Sequence, residues 1–291
     1  MNIGIFSSSN EVQRELCRLI VERGEIVKPR GMETRELLGL SFTITNPRRR
    51  LTTLPGRLWS SALAVGELAW HLRGDTNVEP LAFYAPKWRQ FADKSGQVRG
   101  SCYGAKIFEE NPQGFSQWSR IRSLLSEDPY SRRAVLGFQT CGEISSDVKD
   151  VSCTISLQFI IRDGLLHAFT AMRSNDAIWG VPYDIFLFTS FQEIMAAELG
   201  VGVGSYHHSA ASMHIYAWHY ELARKVSEIS DNVLICDDEM VPMDKFARTS
   251  IPTVENALRN GYEADCNDAF SEMCRSLLLE NKKVAAACGV V

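Results

Sequence analysis

The stretch from residue 153 to residue 172 constrains the fold most. Ile155, Leu157, Phe159 and Ile161 alternate with Thr154, Ser156, Gln158 and Ile160, the two-residue period of a strand. Asp163–Gly164 supplies turn chemistry, and Leu165–Met172 is apolar enough to return alongside. The segment predicts an antiparallel hairpin and makes the middle of the chain β-rich. Residues 1–6 and 37–45 predict further strands, and Ala134–Phe138 is a short apolar run. Val12, Leu16, Leu19 and Ile20 share one face of a helix running to about Glu22, capped by Ser9 or Asn10. Pro29 to Arg35 reads as a loop, and Trp59–Leu72 as an amphipathic helix closed by Gly74–Asp75. Pro182–Leu199 predicts a buried helix, with Glu255–Asn260 and Asp268–Lys282 helical after it. Beyond His214 the signal weakens. No repeat, linker or low-complexity tract interrupts the 291 residues, and one α+β domain spanning 1–291 is expected.

Composition narrows the class. Lys and Arg number 31 against 35 Asp and Glu, a net charge of −4, with 45% apolar and 23% charged residues. These are values of a folded globular chain, and mild acidity gives no general affinity for nucleic acid or anionic membranes. Phosphate binding must then come from a local cluster of basic residues. No apolar run is long enough to span a bilayer, and MNIGIFSSSNEVQRELCRLI lacks the pattern of a signal peptide. A cytoplasmic location is expected. The eight cysteines, at 17, 102, 141, 153, 236, 266, 274 and 288, contain no CxxC pair, so free thiols are expected rather than a zinc ribbon or a redox motif.

Individual motifs are weakly informative alone. GVGVGS at 200–205 is not GxGxxG and argues against a dinucleotide site. His207, His208, His214 and His219 have no nearby Cys or carboxylate set, so no metal is expected. Arg132–Arg133 reads as a solvated face. Arg173–Ser174 ends an apolar strand, where a charge needs a partner; a nucleotide phosphate or a structural carboxylate would both satisfy it. A strand-end Cys153 is by itself more often packing than chemistry.

Four segments taken together say more. SCTISLQFIIRDGLLHAFTAMRSNDAIWGVPYDI at 152–185 resembles the thymidylate synthase family around its nucleophile. GELAWHLRGDTN at 66–77 resembles the family's Glu-bearing helix, DPYSRR at 128–133 its arginine pair, and SMHIYAWH at 212–219 its His-x-Tyr nucleotide contact. The resemblance implies a mixed β-sheet packed with helices, and a homodimer across the sheet. Within the family the chain is most similar to the (deoxy)cytidylate hydroxymethylases: Thr154 follows Cys153 where synthases typically have His, Asn175 stands in RSND, and Asp184 replaces the Asn of PFNI.

The Asp184 change has a physical reading. Uracil presents an acceptor at O4 and a donor at N3, which an amide matches. Cytosine presents an amino donor at C4, and its N3 becomes protonated as a nucleophile adds at C6, so a carboxylate accepts from both. One mismatched buried polar group costs about 1–3 kcal/mol, roughly ten- to hundredfold in discrimination. Asp184 as a helix cap is the plainer alternative.

The resemblance implies nucleoside monophosphate and 5,10-methylenetetrahydrofolate as substrates. Cys153 thiolate would add to C6, C5 would attack the folate methylene, and loss of the C5 proton and of tetrahydrofolate would leave an exocyclic methylene to which water adds. A free thiol titrates near about 8.5, so neighbouring arginines are expected to lower it. Arg30, Arg132, Arg133, Arg173 and Ser174 would hold the phosphate, with Arg35 the alternative to Arg30. The arginine pair would serve the other subunit's site. His214 and Tyr216 would contact the sugar, Asp176 the pterin, and Glu67 would order water and move protons. Trp88 and Tyr103 would line the site, with Phe91 helping to control how wet it is. The C-terminal AAACGVV only loosely resembles the hydrophobic tail that closes over folate in synthases. Ribose and deoxyribose are not separated by these motifs. A thymidylate synthase acting on dUMP is the alternative enzyme. A catalytically dead binding protein is disfavoured by the intact set Cys153, Glu67, Asp176 and Arg173. A zinc deaminase is disfavoured by the missing HxE and PCxxC.

Overall fold

A computed structural model of the chain describes residues 1–57, 59–140, 149–234 and 239–289. Among them seven strands form one mixed sheet: β1 (Asn2–Phe6), β2 (Glu25–Val27), β3 (Thr34–Ile44), β4 (Val135–Gly137), β5 (Thr154–Arg162), β6 (Leu165–Asp176) and β7 (Gly202–Tyr216). The order is β1-β3-β7-β6-β5-β4, with β2 pairing the other half of the β3 edge that β1 uses. The architecture is α+β.

The expected hairpin is β5–β6, turning at Asp163–Gly164, whose φ values are 51° and 73°. Leu157, Phe159 and Ile161 are buried as the alternation requires, but Ile155 is 42% exposed and Thr154 is buried. The β5–β6 register shifts between Thr154 and Ser156, and this irregularity reverses the phase beside Cys153. β6 and β7 run parallel, which requires a crossover. Helix α6 (Gly180–Leu199) supplies it, and it is buried along most of its length.

The sequence reading missed β7, a 15-residue central strand. Its Gly, Ser, Ala and His residues carry little intrinsic strand preference. Pairing with β3 on one side and β6 on the other supplies what local sequence does not. GVGVGS therefore links a helix to a strand.

The first helix, α1 (Ser9–Arg23), is capped by Ser8, whose Oγ accepts from Glu11 N. Helix α2 (Ser61–Arg73) ends at Gly74 with φ 66°. It is buried on nearly every side rather than amphipathic, because α3 (Glu79–Tyr84), α4 (Tyr103–Phe108), α6 and the C-terminal helices surround it. Helix α5 (Gln117–Glu127) packs on α4 and α6. After β7 come α7 (Tyr220–Ser227), α8 (Asp231–Leu234), α9 (Ala247–Arg259), α10 (Ala269–Leu279) and α11 (Lys282–Ala287). α9 begins well before the expected Glu255 and accommodates Pro252. One apolar core runs from Val12 to Val284, with a smaller cluster around Trp70 and Val98. No helix among the described residues is long and apolar enough to cross a membrane.

Candidate functional site

The parallel pair β6–β7 ends beside the N-terminus of α6, and a cleft opens there with two communicating lobes of about 780 and 580 Å³. Arg30, Trp88, Phe91, Cys153, Arg173, Ser174, His214 and Tyr216 border both lobes. The outer lobe adds Glu36, Lys149 and Asp150; the inner adds Glu67, Tyr103, Asn175, Asp176 and Asp184. Residues expected from three of the four segments, together with Arg30 and Trp88, thus meet in one place, while the 128–133 segment does not join them. Strand register explains part of this: Ser174 lies opposite Ser212, and Asp176 opposite His214.

Arg30 sits in a tight turn, Pro29–Gly31, at φ 52°. Arg35 is committed elsewhere: Nη1 donates to Val21 O at 2.6 Å, and its guanidinium lies over Tyr220. Arg30 and not Arg35 therefore borders the cleft. Arg132 and Arg133 are exposed beside the short strand β4 and do not line the cleft.

Cys153 ends the loop before β5. Arg173 donates through Nε to Ser152 O at 2.9 Å and through Nη2 to Val151 O at 3.0 Å, with Nη2 3.7 Å from Cys153 Sγ. The expected lowering of the thiol pKa is not what results. Burial raises it, outweighing Arg173 and Arg30, while Asp184 and Asp150 push the same way as burial. Much of Arg173's donor capacity is spent on backbone carbonyls.

Three carboxyls share the inner lobe. Glu67, on α2, has a side chain 16% exposed and is raised to about 8 by burial, with Asp184 adding to the effect. Its Oε1 lies 3.9 Å from His71 Nε2, and burial holds that imidazole at about 3. It is therefore neutral, and no ion pair forms. Asp184, on the first turns of α6, is raised to about 7 by burial, opposed by a hydrogen bond from Asn175 Nδ2 at 2.6 Å. Asp176 is raised to about 6 by burial, although Ile178 N and Trp179 N donate to it at 2.7 and 3.3 Å. Burial lowers His214 to about 4, so it is neutral, and its Nδ1 is buried with no hydrogen-bond partner. Tyr103 is buried and stacked on His71, with ring centroids 5.3 Å apart.

Sequence reasoning missed Arg57, Lys87, Tyr183 and Asp150. Arg57 is buried, donates to Ile178 O and helps hold down the Asp176 pKa. Tyr183 OH accepts from Ser60 N at 3.1 Å, joining α6 to the start of α2. Lys87 lies 5.0 Å over the half-exposed Trp179 ring. The residues PYD at 182–184 pointed to Tyr183; nothing local marked the others.

The described part of the tail, to Gly289, does not line the cleft. Residues 282–287 are helical, and Cys288 Sγ contacts Leu258 O on α9. His207 is tied to Thr43 and Ser205, and His208 to Tyr206. No group of three or more His, Cys, Asp or Glu among the described residues could hold a metal. Cys17, Cys102, Cys153, Cys266, Cys274 and Cys288 are free thiols; Cys141 and Cys236 lie outside the described residues.

The thymidylate synthase family model matches residues 13–232. The deoxyuridylate hydroxymethyltransferase of Bacillus phage SP01 is 31% identical over 226 residues, covering 72% of this chain. The chain spans 58% of that relative's length. The match takes in the strands, turns and helices that bring Arg30, Glu67, Cys153, Asp184 and His214 to one cleft, and the chain belongs to the thymidylate synthase family.

Proposed function

We propose that the chain is a single-domain pyrimidine nucleotide 5-hydroxymethylase that acts on a cytidine monophosphate, dCMP or CMP. The observation that carries the base assignment is Asp184: a partly buried carboxyl lines the inner lobe, with one acceptor site of Oδ2 used by Asn175 and the rest open. When ionised it accepts from both the C4 amino group and a protonated N3, where an amide would set donor against donor. Arg30, Arg173 and Ser174 at the outer lobe hold the phosphate, and His214 and Tyr216 hold the sugar. Cys153 attacks C6, and Glu67 handles the water that adds at the new carbon and the protons that move with it.

The inner lobe suits a flat fused ring such as the pterin of 5,10-methylenetetrahydrofolate. Trp88, Phe91 and Trp179 offer apolar faces, and Asp176 offers a partly buried acceptor in the same lobe. The folate supplies the one-carbon unit. Asp176 orients the ring through N–H donors, and the aromatic walls limit bulk water.

The SP01 relative's name favours a second reading, the same chemistry on deoxyuridylate. Asp184 supports it too: near pH 7 part of the population is protonated, and a carboxylic acid, like an amide, both donates and accepts. A thymidylate synthase acting on dUMP is the third alternative.

The proposed assembly is a homodimer through the sheet face left open by the helices, where Leu38 and Ile155 are exposed. Arg132 and Arg133 would reach the partner's phosphate. Both substrates are metabolites of the cytoplasm, which is the proposed location.

Incubation with methylenetetrahydrofolate and each of dCMP, CMP and dUMP, with product masses and dihydrofolate measured, separates these readings. A gain of CH2O on a cytidylate without dihydrofolate is the expected result. The same gain on dUMP alone selects the second reading, and dihydrofolate formation identifies a synthase.

A further inference from the structure

Helix α2 presents two faces to two different tasks. Leu63 and Glu67, four residues apart, border the cleft. Gly66 and Arg73, seven residues apart, share another face, directed at α3 and α9. A Cβ on Gly66 would lie 2.5 Å from Tyr84 Cε2, so the Tyr84 ring rests on the backbone one residue before Glu67. Tyr84 OH donates to Glu255 Oε1 at 2.8 Å. Arg73 Nη1, at the end of α2, donates to Glu255 Oε2 at 2.6 Å. Arg259 Nε completes the arrangement by donating to Oε1 at 2.8 Å. Glu255 is fully buried. At the other end of α2, Ser61 Oγ donates to Glu280 at the end of α10. Both ends of the helix are therefore fastened to helices that lie beyond the family match at 13–232, and the turn holding Glu67 is linked to one of them through Tyr84 of α3.

We infer that Glu255 is a positioning residue for Glu67: from α9 it holds Tyr84 and Arg73 so that the Gly66–Glu67 turn keeps its depth in the inner lobe. A buried carboxylate with three charged or phenolic donors is costly to disturb, and its partners sit on α2 itself, on α3 and on α9. The position of Glu67 matters because a reacting group displaced by about 1 Å can lose on the order of a hundredfold in rate. The chemical role given to Glu67 rests on the proposed function; the fastening of its helix does not.

The test reads Glu67 directly. In protein carrying 13C-labelled glutamate carboxyls, the infrared band absent from Glu67→Gln reports Glu67, and its titration is followed in wild type, Glu255→Gln and Tyr84→Phe. Loosening α2 admits water to the carboxyl, so both variants are expected to titrate lower than wild type by about half a unit or more. kcat is expected to fall about tenfold or more with the nucleotide KM within about threefold. Glu198→Gln is the control. The Glu198 side chain is nearly buried, accepts from Trp118 and pairs with Arg248 in the first turn of α9, two turns before Glu255 and with no bond to Tyr84 or Arg73, so its loss is expected to cost stability without moving the Glu67 band. An unchanged band and unchanged kcat in folded Glu255→Gln and Tyr84→Phe overturn the inference, as does an equal shift in Glu198→Gln. If Glu255→Gln does not fold, Tyr84→Phe decides. A wild type that turns over no pyrimidine nucleotide defeats the proposed function instead, and the band still judges the fastening.

Discussion

Asn175 donates through Nδ2 to Asp184 Oδ2 at 2.6 Å, joining the end of β6 to the first turns of α6. The bond occupies one acceptor site of Oδ2, and Oδ1 has no protein hydrogen-bond partner among the described residues, so the ionised carboxyl keeps acceptor capacity on both oxygens. Changing Asp184 to Asn preserves shape and volume while replacing an acceptor by a donor. Asp184→Asn should therefore move preference from cytosine toward uracil nucleotides by about tenfold or more in the ratio of kcat/KM values, since one mismatched buried hydrogen bond is worth roughly 1–3 kcal/mol. A wild-type ratio in the variant would mean that Asp184 does not read the base.

The same carboxyl makes base choice pH-dependent. Burial holds Asp184 at about 7; only the ionised form accepts twice. With cytidylate read by the ionised form and uridylate by the protonated one, the kcat/KM ratio for cytidylate over uridylate should rise by about tenfold per pH unit on both sides of that value. Taking the ratio cancels the ionisations of Cys153 and Glu67, which both substrates share. Competition assays at pH 5.5, 6.5, 7.5 and 8.5 check this; a flat ratio counts against an ionised Asp184 in recognition.

The raised Cys153 pKa gives a third test. Addition at C6 makes the C5 hydrogen exchangeable, so Cys153→Ala should abolish tritium release from C5-labelled nucleotide. Cys102→Ala, which alters a buried thiol outside the cleft, should retain it. Exchange persisting in Cys153→Ala would sink the covalent route.

Local pattern revealed the hairpin and the α6 helix because each carries its burial in its own sequence: alternation at Leu157, Phe159 and Ile161, and length at 182–199. It failed at β7, where two neighbouring strands decide the conformation of a Gly- and Ser-rich segment. It also misjudged α2, because an amphipathic stripe says nothing of the helices that cover the other faces. Grouping Cys153, Glu67, Asp176, Asp184 and His214 required the family resemblance; no spacing places Glu67 beside Asp184. Arg57 and Glu255 were invisible, since their roles exist only through partners far along the chain.

Three raised carboxyls in one lobe also bear on stability. Glu67 titrates near 8 in the folded protein but near about 4.3 when unfolded. Its native pKa is raised, so the folded state binds the extra proton between those values, and stability falls as pH rises through that window. Glu67→Gln removes this loss. The variant's melting temperature should approach wild type near pH 4.5, exceed it increasingly up to about pH 8, and keep a constant advantage above. A wild type equally stable at pH 8 would show that Glu67 is already hydrated there.

Arg132 and Arg133 stand exposed beside β4, outside the cleft. If they serve a partner's phosphate, each site needs Cys153 from one subunit and the arginines from the other. Arg133→Ala and Cys153→Ala proteins should each lose most activity alone. Mixed under conditions that exchange subunits, they form hybrid dimers in which one site joins the intact Cys153 of the first protein to the intact Arg133 of the second, while the other site lacks both. With random exchange about half of the dimers are hybrid, each with one competent site of two, so activity should recover toward about one quarter of wild type by this statistical count, whatever a single arginine–phosphate contact contributes. Subunit exchange is verified by native mass spectrometry of differently tagged chains. Recovery well above either parent supports shared sites. Verified exchange with no recovery places the arginines outside the reaction and returns them to the solvated surface that their exposure alone describes.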